Sequence, residues 1–213
     1  METQKLLENM NFVFPKNSKI GECKFREVFS VGDFAVKTIK PSFKKNYGLF
    51  KVSMSTHLYT KYKFGIPDFN EYEFGAYKKL IEKVPEELRN SFYQIYSVLH
   101  NEGKSYLIAQ LIKDSNDQIS LPMSKLGHIQ EKSFWERIDQ LEDLLIEKDI
   151  PLMELNSSNI VARDLGNSSI PVFIDYKRFG IRTYPAQFWL ISRSERVKKI
   201  KRRFQILRDK HKE

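Results

Sequence analysis

The sequence contains a single cysteine, Cys23, among its 213 residues. One thiol excludes an internal disulfide, and the four histidines lie too far apart in sequence to have zinc-ligand spacing. No run of about 18 apolar residues occurs, and the first ten residues lack the basic-then-apolar order of a secretory signal. We therefore expect a protein of the reducing cytoplasm that does not span a membrane.

Hydrophobic residues make up 41% of the chain and aromatic residues 13%, with 16 Phe and 10 Tyr. Chains that stay disordered have low hydrophobicity and few aromatic residues, so this composition predicts a folded core. The length suits either one medium domain or two small lobes that share a cleft.

The first part of the chain predicts strands. Segments 25–31 and 33–40 are rich in β-branched and aromatic residues on either side of Gly32 and Asp33, which is typical of a hairpin. Residues 41–66 mix lysines with tyrosines and phenylalanines without a sustained period, so we expect a long connection there with one short helix.

A helix and a second hairpin are predicted next. Apolar residues recur at helical intervals over 69–84, which indicates an amphipathic helix. Segments 91–100 and 104–112 have the composition of strands, and the Asn-Glu-Gly sequence between them is a turn signal. A polar crossover follows over 112–120.

Helical character returns over 134–148. Ser133 and Glu136 have the spacing of a capping box at the start of this helix, and Pro151 is expected to end the segment. Two short apolar runs follow, around 150–162 and 170–176, and we predict strands there.

Three polar residues stand at the ends of these two runs: Glu154, Asn159 and Asp175. The spacing of Glu154 and Asn159 resembles the protein-kinase catalytic loop H-R-D-L-x-x-x-x-N, with glutamate in the place of the aspartate. In that family the acid faces the substrate hydroxyl and the asparagine holds a magnesium ion. "FIDYKRFG" resembles the D-F-G segment. The resemblance implies that Glu154 is catalytic and that Asn159 and Asp175 are metal ligands.

Two earlier motifs resemble the nucleotide-binding part of a kinase. "GECKFREV" is similar to G-x-G-x-x-G-x-V, with Gly21 and Val28 at its first and last positions, whereas Cys23 and Arg26 replace the other two glycines. These replacements argue against a tight cover over phosphates, because only glycine lets the backbone approach them closely. "FAVKTIK" resembles V-A-I-K, which implies that Lys37 contacts the phosphates of ATP.

The predicted helix over 69–84 offers Lys37 an acidic partner, Glu73, with Glu71 as the alternative. Each motif residue also has a plain structural interpretation. These are an exposed strand lysine at Lys37, an Asx-turn at Asn159 and a turn cap at Asp175. The order of the motifs along the chain favours a site.

The order of the predicted elements resembles that of a bilobal protein kinase. The resemblance implies an α+β fold with a strand-rich N-lobe over 1–112 and a reduced, helical C-lobe over 113–213. Within that class the chain is similar to the YrbL family, kinase-like bacterial proteins linked to the PhoP regulatory network. This similarity extends over nearly the whole chain and is most specific over 155–180 and 194–204. It implies more about the fold than about the function.

The net charge of +9 lies mostly at the end of the chain, where ten Lys and Arg stand against three Asp and Glu from Leu190 onward. Apolar residues at intervals of three and four form one stripe of a predicted helix there, which we expect to dock near Trp189: Val197, Ile200, Phe204 and Leu207. The basic residues then face outward, where they are either merely solvated or contact a polyanion.

Three classes of function fit these features. The first is a kinase-like protein that binds ATP and Mg²⁺ and transfers phosphate slowly to a small or compact hydroxyl substrate. Slow transfer is expected because the longer side chain of Glu154 displaces its carboxylate by about 1 Å from the usual position of the base. The alternatives are a pseudokinase that regulates or binds a partner protein, and a nucleic-acid-binding protein.

Overall fold

The structure, a computed structural model, describes most of the chain. The described residues are 14–23, 25–40, 42–47, 50–55, 68–150, 155–176 and 192–212, with the backbone alone for 42–47 and 50–55.

Nine strands, three α-helices and three short 3-10 helices lie in the described residues. The strands are β1 (Lys19–Glu22), β2 (Arg26–Val31), β3 (Phe34–Ile39), β4 (Ser42–Tyr47), β5 (Phe50–Ser55), β6 (Ile95–Asn101), β7 (Lys104–Gln110), β8 (Ile160–Asp164) and β9 (Ser169–Phe173). The helices are α1 (Phe69–Ile81), α2 (Lys132–Glu147) and α3 (Arg193–His211). The fold is therefore mixed α and β with a strand-rich sheet and few helices.

An antiparallel five-stranded sheet in the order β1-β2-β3-β7-β6 dominates the first half. Both predicted hairpins are confirmed, β2–β3 and β6–β7. Gly32 joins the first pair at a φ of +58°, while Glu102 and Gly103 join the second at +48° and +73°. The positive φ of both Glu102 and Gly103 is what a type I′ turn requires, and this turn matches the twist of the paired strands β6 and β7.

The expectation for residues 41–66 was wrong over 42–47 and 50–55. There β4 and β5 pair antiparallel as a separate two-stranded sheet, where we had expected a connection with a short helix. The register sets Phe43 opposite Met54 and Tyr47 opposite Phe50. The interleaved lysines hid this hairpin in the sequence.

Helix α1 begins at Phe69 because the side chain of Asp68 accepts hydrogen bonds from the backbone N–H groups of Asn70 and Glu71. Its buried face consists of Phe69, Asn70, Glu73, Ala76 and Leu80. Two of these five buried residues, Asn70 and Glu73, are polar, so α1 presents an amide and a carboxylate to the five-stranded sheet near β3.

The second half contains the β8–β9 hairpin, in which Ile160 pairs with Phe173, and the helices α2 and α3. The predicted helix over 134–148 is present, but the capping box is not. Helix α2 begins one residue before Ser133, with Glu131 as its N-cap, and the Ser133 hydroxyl donates to the Glu131 carboxylate instead.

Helix α3 confirms the predicted stripe. Ile200, Phe204 and Leu207 are buried and Val197 is half-buried, whereas Trp189 lies outside the described residues. Arg208 donates to Asp139 at 2.5 Å and to Glu142 at 2.6 Å, and Arg196 forms a two-bond fork with Asp149. These pairs orient α3 against α2 and its following turn. The outward face carries Lys199, Lys201 and Arg202, all exposed.

One continuous apolar core joins both halves of the molecule. The Phe173 ring lies 5.5 Å from that of Phe92 and 6.4 Å from that of Phe204, so it links the sheet side to α3. The predicted division into 1–112 and 113–213 stays a prediction. Within the described ranges, no helix combines the length and the apolar character that crossing a membrane requires.

We expect Phe204→Ala to lower the free energy of unfolding by about 3–5 kcal/mol, because this fully buried ring leaves a cavity between α3 and β9. Ile206→Ala on the same helix is the control. That side chain is 52% exposed, so the change should stay within about 0.5 kcal/mol. Urea unfolding of both variants measures the difference, and equal losses would show that α3 does not dock through the stripe.

Candidate functional site

A cavity of about 490 Å³ opens between the five-stranded sheet and the β8–β9 hairpin. Its size lies within the usual range of small-molecule sites. Five of the predicted site residues line it: Gly21, Val28, Lys37, Asn159 and Asp175. These residues span more than half of the sequence, so their shared cavity is a product of the fold. Glu154 lies outside the described residues.

Lys37 lies in the middle of β3 and points to the α1 side of the sheet. It pairs across the strands with Val28 on β2 and with Leu107 on β7. Its side chain is buried, and Nζ donates to Glu73 Oε1 and to the Tyr93 hydroxyl, both at 2.7 Å. The alternative of an ordinary exposed strand lysine is therefore wrong.

Glu73 is the acid that meets Lys37. It lies one turn after Asn70 on the buried face of α1, and its side chain is 0% exposed. Glu71, the alternative partner, faces solvent, and its carboxylate contacts the ring of His100. Helical spacing decides between the two acids, because positions 70, 73 and 76 share one face whereas 71 does not.

Tyr93 and Arg26 complete the cluster, and sequence reasoning had given neither a role in the site. The Tyr93 hydroxyl donates to the Glu73 carboxylate. The Arg26 guanidinium contacts Glu73 Oε2, donates to Asn70 Oδ1 at 3.1 Å and lies 3.6 Å from Asp175 Oδ1. Strand alternation could have identified Arg26, because residues 26 and 28 share one face of β2 and Val28 is a predicted site residue.

Burial sets the protonation of this cluster. It lowers the pKa of Lys37, against the opposing effect of the Glu73 carboxylate. Burial also disfavours a charged Arg26, but the carboxylates of Glu73 and Asp175 outweigh it and raise the pKa of that guanidinium. Burial is the main cause that raises the pKa of Tyr93 well above its ordinary value, and the Glu73 carboxylate is the second cause. This phenol therefore stays a neutral donor.

Asn70 fastens the cluster to the sheet. Its amide nitrogen donates to the backbone oxygen of Lys37 at 3.2 Å and to the backbone oxygen and hydroxyl of Ser105, each at 3.0 Å. The Ser105 hydroxyl in turn donates to Asp68, the N-cap of α1. Buried polar groups that satisfy one another in this way hold one arrangement of side chains.

The β1–β2 turn closes one edge of the cavity. The Cys23 N–H donates to the Arg26 carbonyl oxygen at 2.8 Å. A Cβ added to Gly21 would meet Val28 at 3.7 Å, which is ordinary contact, so neither the backbone nor the space demands glycine here. The turn is therefore built differently from a loop of three essential glycines.

Asn159 and Asp175 border the opposite side of the cavity. The Ile174 N–H donates to the Asn159 carbonyl oxygen at 2.9 Å, which ties the two segments together beyond the β8–β9 pairing. Asp175 has a φ of +73°, a region that aspartate adopts more readily than most residues. An Asx-turn is present three residues before Asn159, where the Asn156 side chain accepts from the Ser158 N–H.

The Tyr176 hydroxyl donates to the carbonyl oxygens of Tyr93 and Phe173, at 3.0 and 2.9 Å. Its ring also stacks on that of Tyr77 with 5.8 Å between centroids. A phenylalanine at this position could pack in the same way but could not make these two bonds. Tyr176 therefore holds the backbone next to Asp175 against the sheet.

The Asp175 carboxylate and the Asn159 amide would hold a magnesium ion only together with further oxygen ligands, such as those of a bound phosphate group. Carboxylate and amide oxygens suit Mg²⁺, and protein sites for nucleotide-bound Mg²⁺ commonly use one or two carboxylates. The described residues contain no group of three or more His, Cys, Asp or Glu side chains that would hold a metal by themselves.

No protein-family model and no curated protein matches the chain. Among solved structures, the chain is similar to one described as "PpkA-294 apo form", at 13% identity and a TM-score of 0.45. The similarity covers 89% of this chain and 62% of that one, so this chain spans less than two thirds of its length. A likeness this weak carries no inference about function.

We expect Glu73→Gln to lower the free energy of unfolding by about 3–5 kcal/mol, since it leaves two buried cations short of a carboxylate. Glu71→Gln is the matched control on the same helix. Its carboxylate is half-exposed and pairs at the surface, so the loss should be at most about 1 kcal/mol. Chemical unfolding checks both values, and similar losses would show that the Glu73 contacts contribute no more than a surface pair.

Proposed function

We propose that the chain is a kinase-like protein that binds ATP with Mg²⁺ and transfers phosphate slowly to a small or compact hydroxyl substrate. The observation that carries this proposal is the single cavity that collects Gly21, Val28, Lys37, Asn159 and Asp175. A bilobal kinase-like fold, with its lobes meeting at this cavity, is part of the proposal. It is supported by the five-stranded antiparallel sheet, by α1 with its buried acid and by the β8–β9 hairpin.

Each proposed role follows from chemistry. Lys37, held by Glu73 and Tyr93, supplies a positive charge for phosphate oxygens, while Asn159 and Asp175 supply the oxygen ligands for a metal. Bound Mg²⁺ neutralises charge on the phosphates in enzymes of this class. Phosphoryl transfer depends mainly on positioning and charge, so a pre-formed and hydrogen-bonded cluster is the feature that such chemistry needs.

Membership of the YrbL family is the narrower form of the proposal. It rests on the segments 155–180 and 194–204, of which 155–176 and 194–204 are described. Contact with a polyanion through the basic face of α3, which includes Lys198, Lys201 and Arg202, also stays a prediction. So does a pseudokinase role in which the site binds nucleotide or a partner without turnover.

We expect Mg-ATP to stabilise the protein by roughly 2.7 kcal/mol at about 100 times its dissociation constant, as any ligand of the folded state does. Asp175→Asn should lower this stabilisation clearly because it removes the negative charge of a proposed metal ligand. Asn also tolerates the positive φ at this position. Thermal unfolding with and without Mg-ATP measures the effect.

Asp117→Asn is the matched control, since Asp117 also has a positive φ, +65°, but does not line the cavity. It should keep the full response to Mg-ATP. A wild-type protein that does not respond, or an Asp175→Asn variant that responds fully, would contradict the proposed site.

Catalysis is tested at Glu154. We expect turnover well below the roughly 1–100 per second of typical kinases, and a further loss of about 100-fold or more in Glu154→Ala, since this acid is the proposed base. Glu154→Asp should stay well above the alanine variant because it keeps a carboxylate. Phosphate transfer from radiolabelled ATP, including autophosphorylation, measures these rates.

Glu147→Ala, at the exposed end of α2, is the control and should match the wild type. Equal rates in wild type, Glu154→Asp and Glu154→Ala would exclude this residue as the base. If Mg-ATP binds without any turnover, the pseudokinase alternative is the correct one.

A further inference from the structure

Arg26 is an unusual group to find at the edge of this cavity. It begins β2 and lines the cavity together with Lys37 and Asp175, yet its side chain is only 2% exposed. A fully buried guanidinium is costly unless carboxylates and hydrogen bonds compensate it. Here the compensation comes from Glu73, Asn70 and the more distant Asp175.

The charges of the cluster balance because of Arg26. Glu73 and Asp175 contribute two carboxylates, and Lys37 and Arg26 contribute two cations. The guanidinium nitrogen that contacts Glu73 also lies 3.6 Å from Asp175 Oδ1, so one group serves both acids. A cation is therefore already built in beside the carboxylate to which we assign a metal.

We propose that Arg26 acts as a built-in cation of the phosphate subsite, so that the cavity binds the polyphosphate of a nucleotide with little dependence on a divalent metal. This inference rests on the nucleotide binding proposed above. Guanidinium suits the task because its planar set of N–H donors matches phosphate oxygens, its charge does not titrate and it is weakly hydrated. A divalent ion at Asp175 would gain less here than at an uncompensated carboxylate.

The position of Arg26 is fixed from two sides. Asn70 accepts from one terminal nitrogen at 3.1 Å, and Glu73 contacts the other. A guanidinium held in this way loses little freedom when a phosphate arrives, which favours binding. A purely structural cross-link would use the same contacts, so the distinguishing readout must be the metal dependence of binding rather than stability.

The experiment compares ATP affinity in excess Mg²⁺ and in EDTA at matched ionic strength, by isothermal titration calorimetry. The proteins are wild type, Arg26→Gln, Arg26→Lys and the control Arg137→Gln. Arg137 lies on α2, does not line the cavity and donates to the Glu87 carbonyl oxygen. Thermal unfolding first establishes that each variant is folded.

We expect wild type and Arg137→Gln to bind in EDTA within about tenfold of their affinity in Mg²⁺. Arg26→Gln should lose about tenfold or more in EDTA, the usual effect of one charge-assisted hydrogen bond, and regain most of it with Mg²⁺. Arg26→Lys keeps the charge without the planar donors and should fall between the two.

Two results would overturn the inference: a wild-type protein whose binding is lost in EDTA, or the same ratio of affinities in wild type and Arg26→Gln. If Arg26→Gln does not fold, the inference is still tested by the ratio of ATP affinities in Mg²⁺ and EDTA, measured for the wild type and for Arg26→Lys. Failure of the wild type to bind ATP in either condition would overturn nucleotide binding itself, and this inference with it.

Discussion

The buried carboxylate of Glu73 is the constraint on which the rest of the site depends. It receives Lys37 from β3, Arg26 from β2 and the hydroxyl of Tyr93, so three separate parts of the sheet region converge on one side chain. A buried charge this well surrounded tolerates little displacement, because moving any partner leaves another without compensation. The cluster therefore fixes where α1 lies against the sheet, and with it the shape of the cavity.

A second, largely apolar set of contacts connects that cluster to the other half of the chain. The Tyr176 ring lies 4.9 Å from that of Tyr93, and its hydroxyl bonds to the backbone on both sides. Phe173, three residues earlier, reaches Phe204 on α3. Asp175 lies between these two aromatic anchors, directly before Tyr176. The packing of the rings therefore positions this acid at the cavity in addition to the nearby Arg26 guanidinium.

Local patterns predicted much of this fold. The two hairpins of the main sheet, α1 and the stripe of α3 were all legible, because each depends on periodicity and turn residues within a few positions of one another. The β4–β5 hairpin was missed since lysines interrupt its alternation. The start of α2 was misassigned because Glu131 caps it, whereas the spacing of Ser133 and Glu136 had suggested a capping box.

The sequence by itself determined the types of chemical group available and their order: a strand lysine, helix acids, and an asparagine and an aspartate near a short hairpin. Only the tertiary structure decided which of them meet. Glu73 and not Glu71 meets Lys37 because α1 buries the face that carries Glu73. Arg26, which stands at a glycine position of the resembling motif, is a buried cation because strand alternation points it inward. Such pairings arise between residues tens of positions apart, where packing and desolvation select the partners and no local pattern records the result.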